Sequence, residues 1–180
     1  MTVATLIQQV ESLPAAYPTA PVGLSSAVAA LVKVSWQRIE PYIAWRFTPR
    51  AVTWTVEGPG EWHPPLQPAT ISAVEIWSGA DEWEAVTVAA SPLGGYCLPA
   101  TGPYRFTAEV GGGVAPDIVQ EAVKRLAEYL AAEPDMPGAT SERTEIPGVM
   151  TSEVSRIASW RARAMQNSGA ADLLRPYRRA

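Results

Sequence analysis

Between Ser25 and Ile43 the apolar residues Val28, Leu31, Val32, Trp36, Ile39 and Ile43 recur at helical spacing, while Lys33, Gln37, Arg38 and Glu40 fall elsewhere. Such a stripe predicts a core-facing amphipathic helix, with Ser25 or Ser26 as its N-cap. Pro41 lies inside the pattern, and the unbroken periodicity favours one kinked helix over two separate ones. Upstream, Leu6, Ile7 and Val10 fit one side of a short helix from Leu6 to Leu13, before Pro14, Pro18 and Pro21 impose an extended passage.

After Pro49 the period changes to two. Val52, Trp54 and Val56 alternate with Thr53 and Thr55, the pattern of a half-buried strand that Gly58-Pro59-Gly60 ends. The stretch His63-Pro64-Pro65-Leu66-Gln67-Pro68 lacks too many N–H groups for a central strand and predicts an extended loop. Ile71–Trp77 and Trp83–Val88 flank a hairpin-like connection, and Gly95–Leu98 and Tyr104–Val110 predict two further strands of a small antiparallel sheet.

Gly111-Gly112-Gly113 breaks the chain, and Pro116 and Asp117 open a second helix with Ile118, Val119, Ala122, Val123, Leu126 and Leu130 as its apolar face. Residues 133–150, with three prolines, two glycines and little apolar content, predict a flexible or partner-ordered loop. Thr151 can cap a last helix running to about Asn167, with Val154, Ile157, Ala158, Ala162 and Met165 on one stripe and Arg156, Trp160 and Arg163 on the opposite side.

The elements together predict an α+β fold: a helical core of about three to four helices, an inserted small antiparallel β-sheet and loop region over about residues 50–112, and an extended C-terminal tail. The expected organisation is an N-terminal arm at 1–24, one domain at 25–168 and a docking tail at 169–180.

Composition narrows the chemistry. At 180 residues and 19.3 kDa the chain can bury a core without disulfides or metals. No apolar run approaches the roughly 20 residues of a membrane span, and the opening lacks the basic start and sustained apolar stretch of a signal peptide, so a soluble protein without a membrane partner is expected. One cysteine, Cys97, excludes an intrachain disulfide, and with one histidine, His63, a His/Cys zinc site within one chain has too few ligands. Neither residue sits in a nucleophile motif; they read as a surface imidazole and a half-buried thiol. Asp81, Glu82 and Glu84 lack the ligand spacing of a calcium loop and read as a solvated hairpin tip. The glycine triplet matches neither GxGxxG nor GxxxxGK[ST], which argues against a nucleotide cradle. No catalytic, cofactor or metal residue is assigned, and no enzyme activity is expected.

Charge is unevenly spread. Residues 1–140 carry seven basic and fourteen acidic side chains, whereas residues 141–180 carry seven and four. Trp160, between Arg156 and Arg163 on one helix face, fits either an indole packed under arginine stems of its own chain or an interface hot spot. The ending Ala170–Ala180 joins Leu173, Leu174 and Tyr177 to Arg175, Arg178 and Arg179; a segment this short either frays or docks on something else.

The order of these elements resembles the head-to-tail adaptor (connector) family of long-tailed phages, prophages and gene transfer agents. The likeness rests on the helix with Trp36-Gln37-Arg38-Ile39-Glu40-Pro41-Tyr42-Ile43, Arg46-Phe47 leading into Ala51–Val56, the strands Ile71–Trp77 and Tyr104–Ala108, the Pro116–Ala132 helix and the ending Ser168–Arg178, and covers about residues 20–180.

The resemblance implies a virion protein of the particle neck, assembled in the host cytoplasm. It also implies a homo-oligomeric ring, typically a dodecamer, between the portal protein and the stopper or tail-terminator proteins, with DNA passing through its channel without sequence-specific binding. Portal or partner contacts are then expected from Arg156, Trp160, Arg163, Leu173, Leu174, Arg175, Tyr177, Arg178 and Arg179. The alternative from another class is a DNA-binding or DNA-packaging accessory protein using the arginine-rich C-terminus, against which the acidic body and a pI near 5.1 argue.

Overall fold

The computed structural model describes residues 3–132, 141–146, 150–155 and 162–178. The chain divides into two compact units: Met1–Tyr17 with Ala44–Val114, and Pro18–Ile43 with Ala115–Ala180. The described elements are helices and antiparallel sheets, an α+β fold as expected.

The first unit is β-rich. Its strands are β1 (Thr5–Glu11), β2 (Arg50–Glu57), β3 (Gly60–Trp62), β4 (Ala69–Trp77), β5 (Trp83–Ala85), β6 (Ala89–Ala90), β7 (Tyr96–Leu98) and β8 (Tyr104–Val110). They form a five-stranded sheet in the order β1-β2-β8-β4-β5 and a three-stranded sheet in the order β3-β7-β6, with every pair of strands antiparallel.

The period-two pattern of β2 places Val52, Trp54 and Val56 in the core, opposite Ala108, Phe106 and Tyr104 of β8. Trp62, Leu66 and Leu98 close over them, with the Trp62 ring centroid 4.2 Å from that of Phe106 and 5.5 Å from that of Trp54. Each of these large side chains contributes about 1.5–3 kcal/mol by leaving water. The proline-rich stretch from His63 runs as an irregular segment, as its missing donors require.

The expected helix at Leu6–Leu13 is a strand instead. Its apolar spacing suits either form, and an isolated helix this short is unstable in water. Pairing with β2 decides the matter: Trp54 Nε1 donates to Gln9 Oε1 at 2.8 Å, and Ser12 N donates to the Ala51 carbonyl at 2.9 Å.

The second unit holds α1 (Ser26–Ile43) and α2 (Asp117–Ala131), packed on each other. Ser25 caps α1, its Oγ accepting from Val28 N at 3.4 Å, and Pro41 lies within this single helix. Val32, Trp36, Ile39 and Ile43 are buried on α1, and Val119, Ala122, Val123, Leu126 and Leu130 on α2. Two positions depart from the expected faces: Ile118 is 39% exposed in the first turn of α2, and Glu40 is buried in α1.

Downstream lie β9 (Ser141–Ile146) and β10 (Met150–Ser155), paired antiparallel, then α3 (Ala164–Asn167), α4 (Ala170–Leu173) and one 3-10 turn at Arg175–Tyr177. Of the helix expected from Thr151 to about Asn167, the start through Ser155 is strand and Ala164–Asn167 is helical, while residues 156–161 lie outside the described residues; the expected loop at 133–150 contains a strand. Thr144, Ile146, Thr151 and Val154 are β-branched, and ladder pairing between two such segments outweighs the helical spacing of Val154 and Met165. Between Gly169 and Arg178 the tail is folded: Ala170 and Leu174 are fully buried, and α4 packs on α2.

Candidate functional site

The arginine-aromatic end of the second unit was the expected partner surface, and the structure sorts its residues. Arg163 is exposed immediately before α3. Gly169, with φ of 74°, turns the chain from α3 into α4, and Asn167 Nδ2 donates to the Tyr129 hydroxyl at 3.0 Å. This anchoring buries Leu174 completely and leaves Leu173 half-buried. Leu174 is thus part of its own unit's core, with no surface left for a partner.

Beyond it the 3-10 turn presents Arg175 and half-buried Tyr177, followed by exposed Arg178. The Arg178 guanidinium lies 4.8 Å from the Tyr42 ring centroid of α1, a cation–π contact that orients it without consuming its hydrogen-bond donors. Arg175 Nη1 stands 3.7 Å from Asp172 Oδ1, and both side chains are about four-fifths exposed. Arg156, Trp160 and Arg179 lie outside the described residues.

The first unit contains a polar cluster that sequence reasoning missed. Glu11, at the end of β1, accepts from Arg46 Nε at 2.6 Å, Arg46 Nη2 at 3.0 Å and Arg50 Nη1 at 3.1 Å. Both arginine side chains are 6% exposed and that of Glu11 19%. Burial alone pushes the Glu11 carboxyl up, but the hydrogen bonds and charges of Arg46 and Arg50 together outweigh it and hold the group below the usual carboxylate range. The arginines stand 35 and 39 residues from Glu11, so no local spacing announced the cluster. Its role is to pin β1.

On the outer face of the same sheet, Trp77 and Trp83 meet edge-to-face at 5.2 Å. The Arg105 guanidinium lies 4.4 Å from the Trp83 ring and donates to Glu75 at 2.7 Å. That hydrogen bond, against a smaller opposing effect of burial, holds the Glu75 carboxyl below its ordinary range.

The remaining candidate chemistry disperses. His63 and Cys97 are both exposed; the thiol, expected half-buried, projects from the short strand β7, whose neighbour Leu98 faces the core instead. Asp81, Glu82 and Glu84 are exposed around the β4–β5 connection. Gly111, Gly112 and Gly113 have φ of 97°, 116° and 86°, and a Cβ on Gly111 would collide with the Thr48 carbonyl, so chain geometry explains the triplet. Among the described residues no group of three His, Cys, Asp or Glu could hold a metal, and no helix is long and apolar enough to cross a membrane.

These exposed arginine and aromatic side chains are carried on an α+β scaffold. Solved structures share that scaffold over nearly its whole length. The chain is similar to a chain in the virion of a native gene transfer agent particle, with a TM-score of 0.60 and 14% identity over 97% of this chain and 96% of that one. It is similar also to a chain in the neck of the native particle with C12 symmetry and to one in the neck of the empty particle with C6 symmetry, each with a TM-score of 0.57 and 16% identity over 97% of this chain and 96% of that one. No protein-family model and no curated protein matches the chain.

Proposed function

We propose that this protein is a non-enzymatic structural subunit of the neck of a phage-like particle: a head-to-tail adaptor, present as a homo-oligomeric ring of about twelve copies between the portal and the stopper or tail-terminator proteins. The observation that carries the reading is the match of 97% of the chain to chains of gene transfer agent particles, two of them in the neck. The order of elements in the sequence supports it independently.

In this reading Arg163, Leu173, Arg175, Tyr177 and Arg178, together with Arg156, Trp160 and Arg179, meet the portal. Arginine pairs with carboxylates, and Tyr177 supplies the amphipathic contact common at hot spots. DNA passes through the channel of the ring without sequence-specific contacts. The subunit assembles in the host cytoplasm and remains in the virion.

The test is a triple substitution, Arg175→Ala, Tyr177→Ala and Arg178→Ala, in the producing strain. The expected outcome is a folded protein and DNA-filled heads that lack tails in electron micrographs. Tailed particles at normal yield would remove the tail from the portal contact, and normal tailed particles from a strain lacking the protein altogether would overturn the adaptor reading.

A further inference from the structure

Strand β1 is a prepared edge. Among the described residues it borders the five-stranded sheet on one side and pairs only with β2, so one line of its backbone donors and acceptors faces outward. Natural sheets blunt such edges with charge, proline or short length. The opposite border, β5, is three residues long. β1 has seven residues and carries no charge from Thr5 to Val10, with Ile7 and Val10 each 57% exposed. A register shift beside Ile7 is its main irregularity.

It is also held firmly. Ala4 N donates to the Glu61 carbonyl at 3.0 Å at one end, Ser12 N to the Ala51 carbonyl at 2.9 Å at the other, and Gln9 and Glu11 are fixed by Trp54, Arg46 and Arg50 between them. A fixed edge has already lost the conformational entropy that a docking strand would otherwise have to remove.

The second unit contains the complementary feature. Among the described residues β9 and β10 form a two-stranded sheet, and a hairpin of two strands gains stability in water from a third strand. β10 is six residues long, close to the length of β1, and its sequence Met150-Thr151-Ser152-Glu153-Val154-Ser155 has one charged residue against three in β9.

We propose that β10 of one copy adds to the β1 edge of the next copy, joining the hairpin to the five-stranded sheet. Because two different surfaces meet, the contact is head-to-tail, the type that closes a ring when its rotation permits. Main-chain hydrogen bonds supply the affinity in such strand addition, and Ile7 and Val10 supply apolar contact. The inference rests on the ring reading above for its biological setting, and it adds the pairing edge and its occupant.

Cysteine cross-linking tests it. Full-length proteins carrying Gln8→Cys or Ser152→Cys in a Cys97→Ser background, distinguished by mass tags, are mixed at high concentration and oxidised; the doubly substituted chain is also placed in particles. The expected result is a mixed-tag 8–152 disulfide in at least one setting. Absence of an intermolecular 8–152 disulfide from both, or a disulfide formed only within one chain, would overturn the proposal.

As a second measurement, Ile7→Lys with Val10→Lys should leave the unfolding midpoint of the monomer unchanged and abolish the multi-copy species seen by light scattering or in particles. Undiminished multi-copy species would again overturn it. Failure here with normal dependence of tailing on the protein would leave the adaptor reading intact, whereas loss of that dependence strikes the reading itself.

Discussion

Leu174 shows how a single side chain changes the meaning of the tail. It is fully buried and follows α4, which packs on α2, so Leu174→Ala is expected to destabilise the second unit by about 2–5 kcal/mol, measured by denaturant unfolding. Arg175→Ala, exposed on the next residue, should stay within about 0.5 kcal/mol of the parent. A similar loss for both would place the tail differently. Glu11 gives a pH signature. Its folded carboxyl titrates below its ordinary value of 4.5, so its stabilisation is fully present above that value and is lost as pH falls through the lower, folded one. Glu11→Gln should cost about 2 kcal/mol at neutral pH and flatten the acid side of the stability profile; an unaltered profile would remove the Arg46 and Arg50 pairing from the energetics.

At the scale of elements, the same burial decides where a truncation is informative. A chain ending at Leu174 retains α3 and α4 and is expected to fold with unchanged helical circular dichroism, whereas one ending at Ser168 loses Ala170 and Leu174 from the core and should melt lower by several degrees. Equal melting of the two would contradict the packing of α4 on α2. Legibility varies between elements for a definable reason. α1, α2, β2 and β8 have periodicities that agree with their local preferences, as in Val52-Thr53-Trp54-Thr55-Val56, so they could be read directly. β1 and β10 have ambiguous spacing, and their state depends on a partner strand: for β1 it lies more than forty residues away, as in the pairing of Gln9 with Trp54. The arginine cluster at Glu11 was invisible for the same reason, while the arginine-rich ending was visible because its residues are contiguous.

Across the whole molecule charge is divided between the units. In the first unit Arg46, Arg50 and Arg105 are the only basic residues beside His63, and all three are engaged with Glu11 or Glu75; the other eleven of the chain's 14 lysines and arginines belong to the second. With a net charge of −4, the isolated protein is expected to bind duplex DNA no tighter than about 10⁻⁴ M at physiological salt, with a shallow salt dependence. Tight binding with a steep salt slope in anisotropy titrations would favour the DNA-packaging alternative.

By itself the sequence determined the α+β class, the two long helices and the central strands, because hydrophobic period and residue type act over a few neighbouring positions. Only the tertiary structure decided that the N-terminal segment is a sheet edge, that Leu174 belongs to a core and that Glu11 gathers two arginines, because each depends on surfaces brought together from distant parts of the chain.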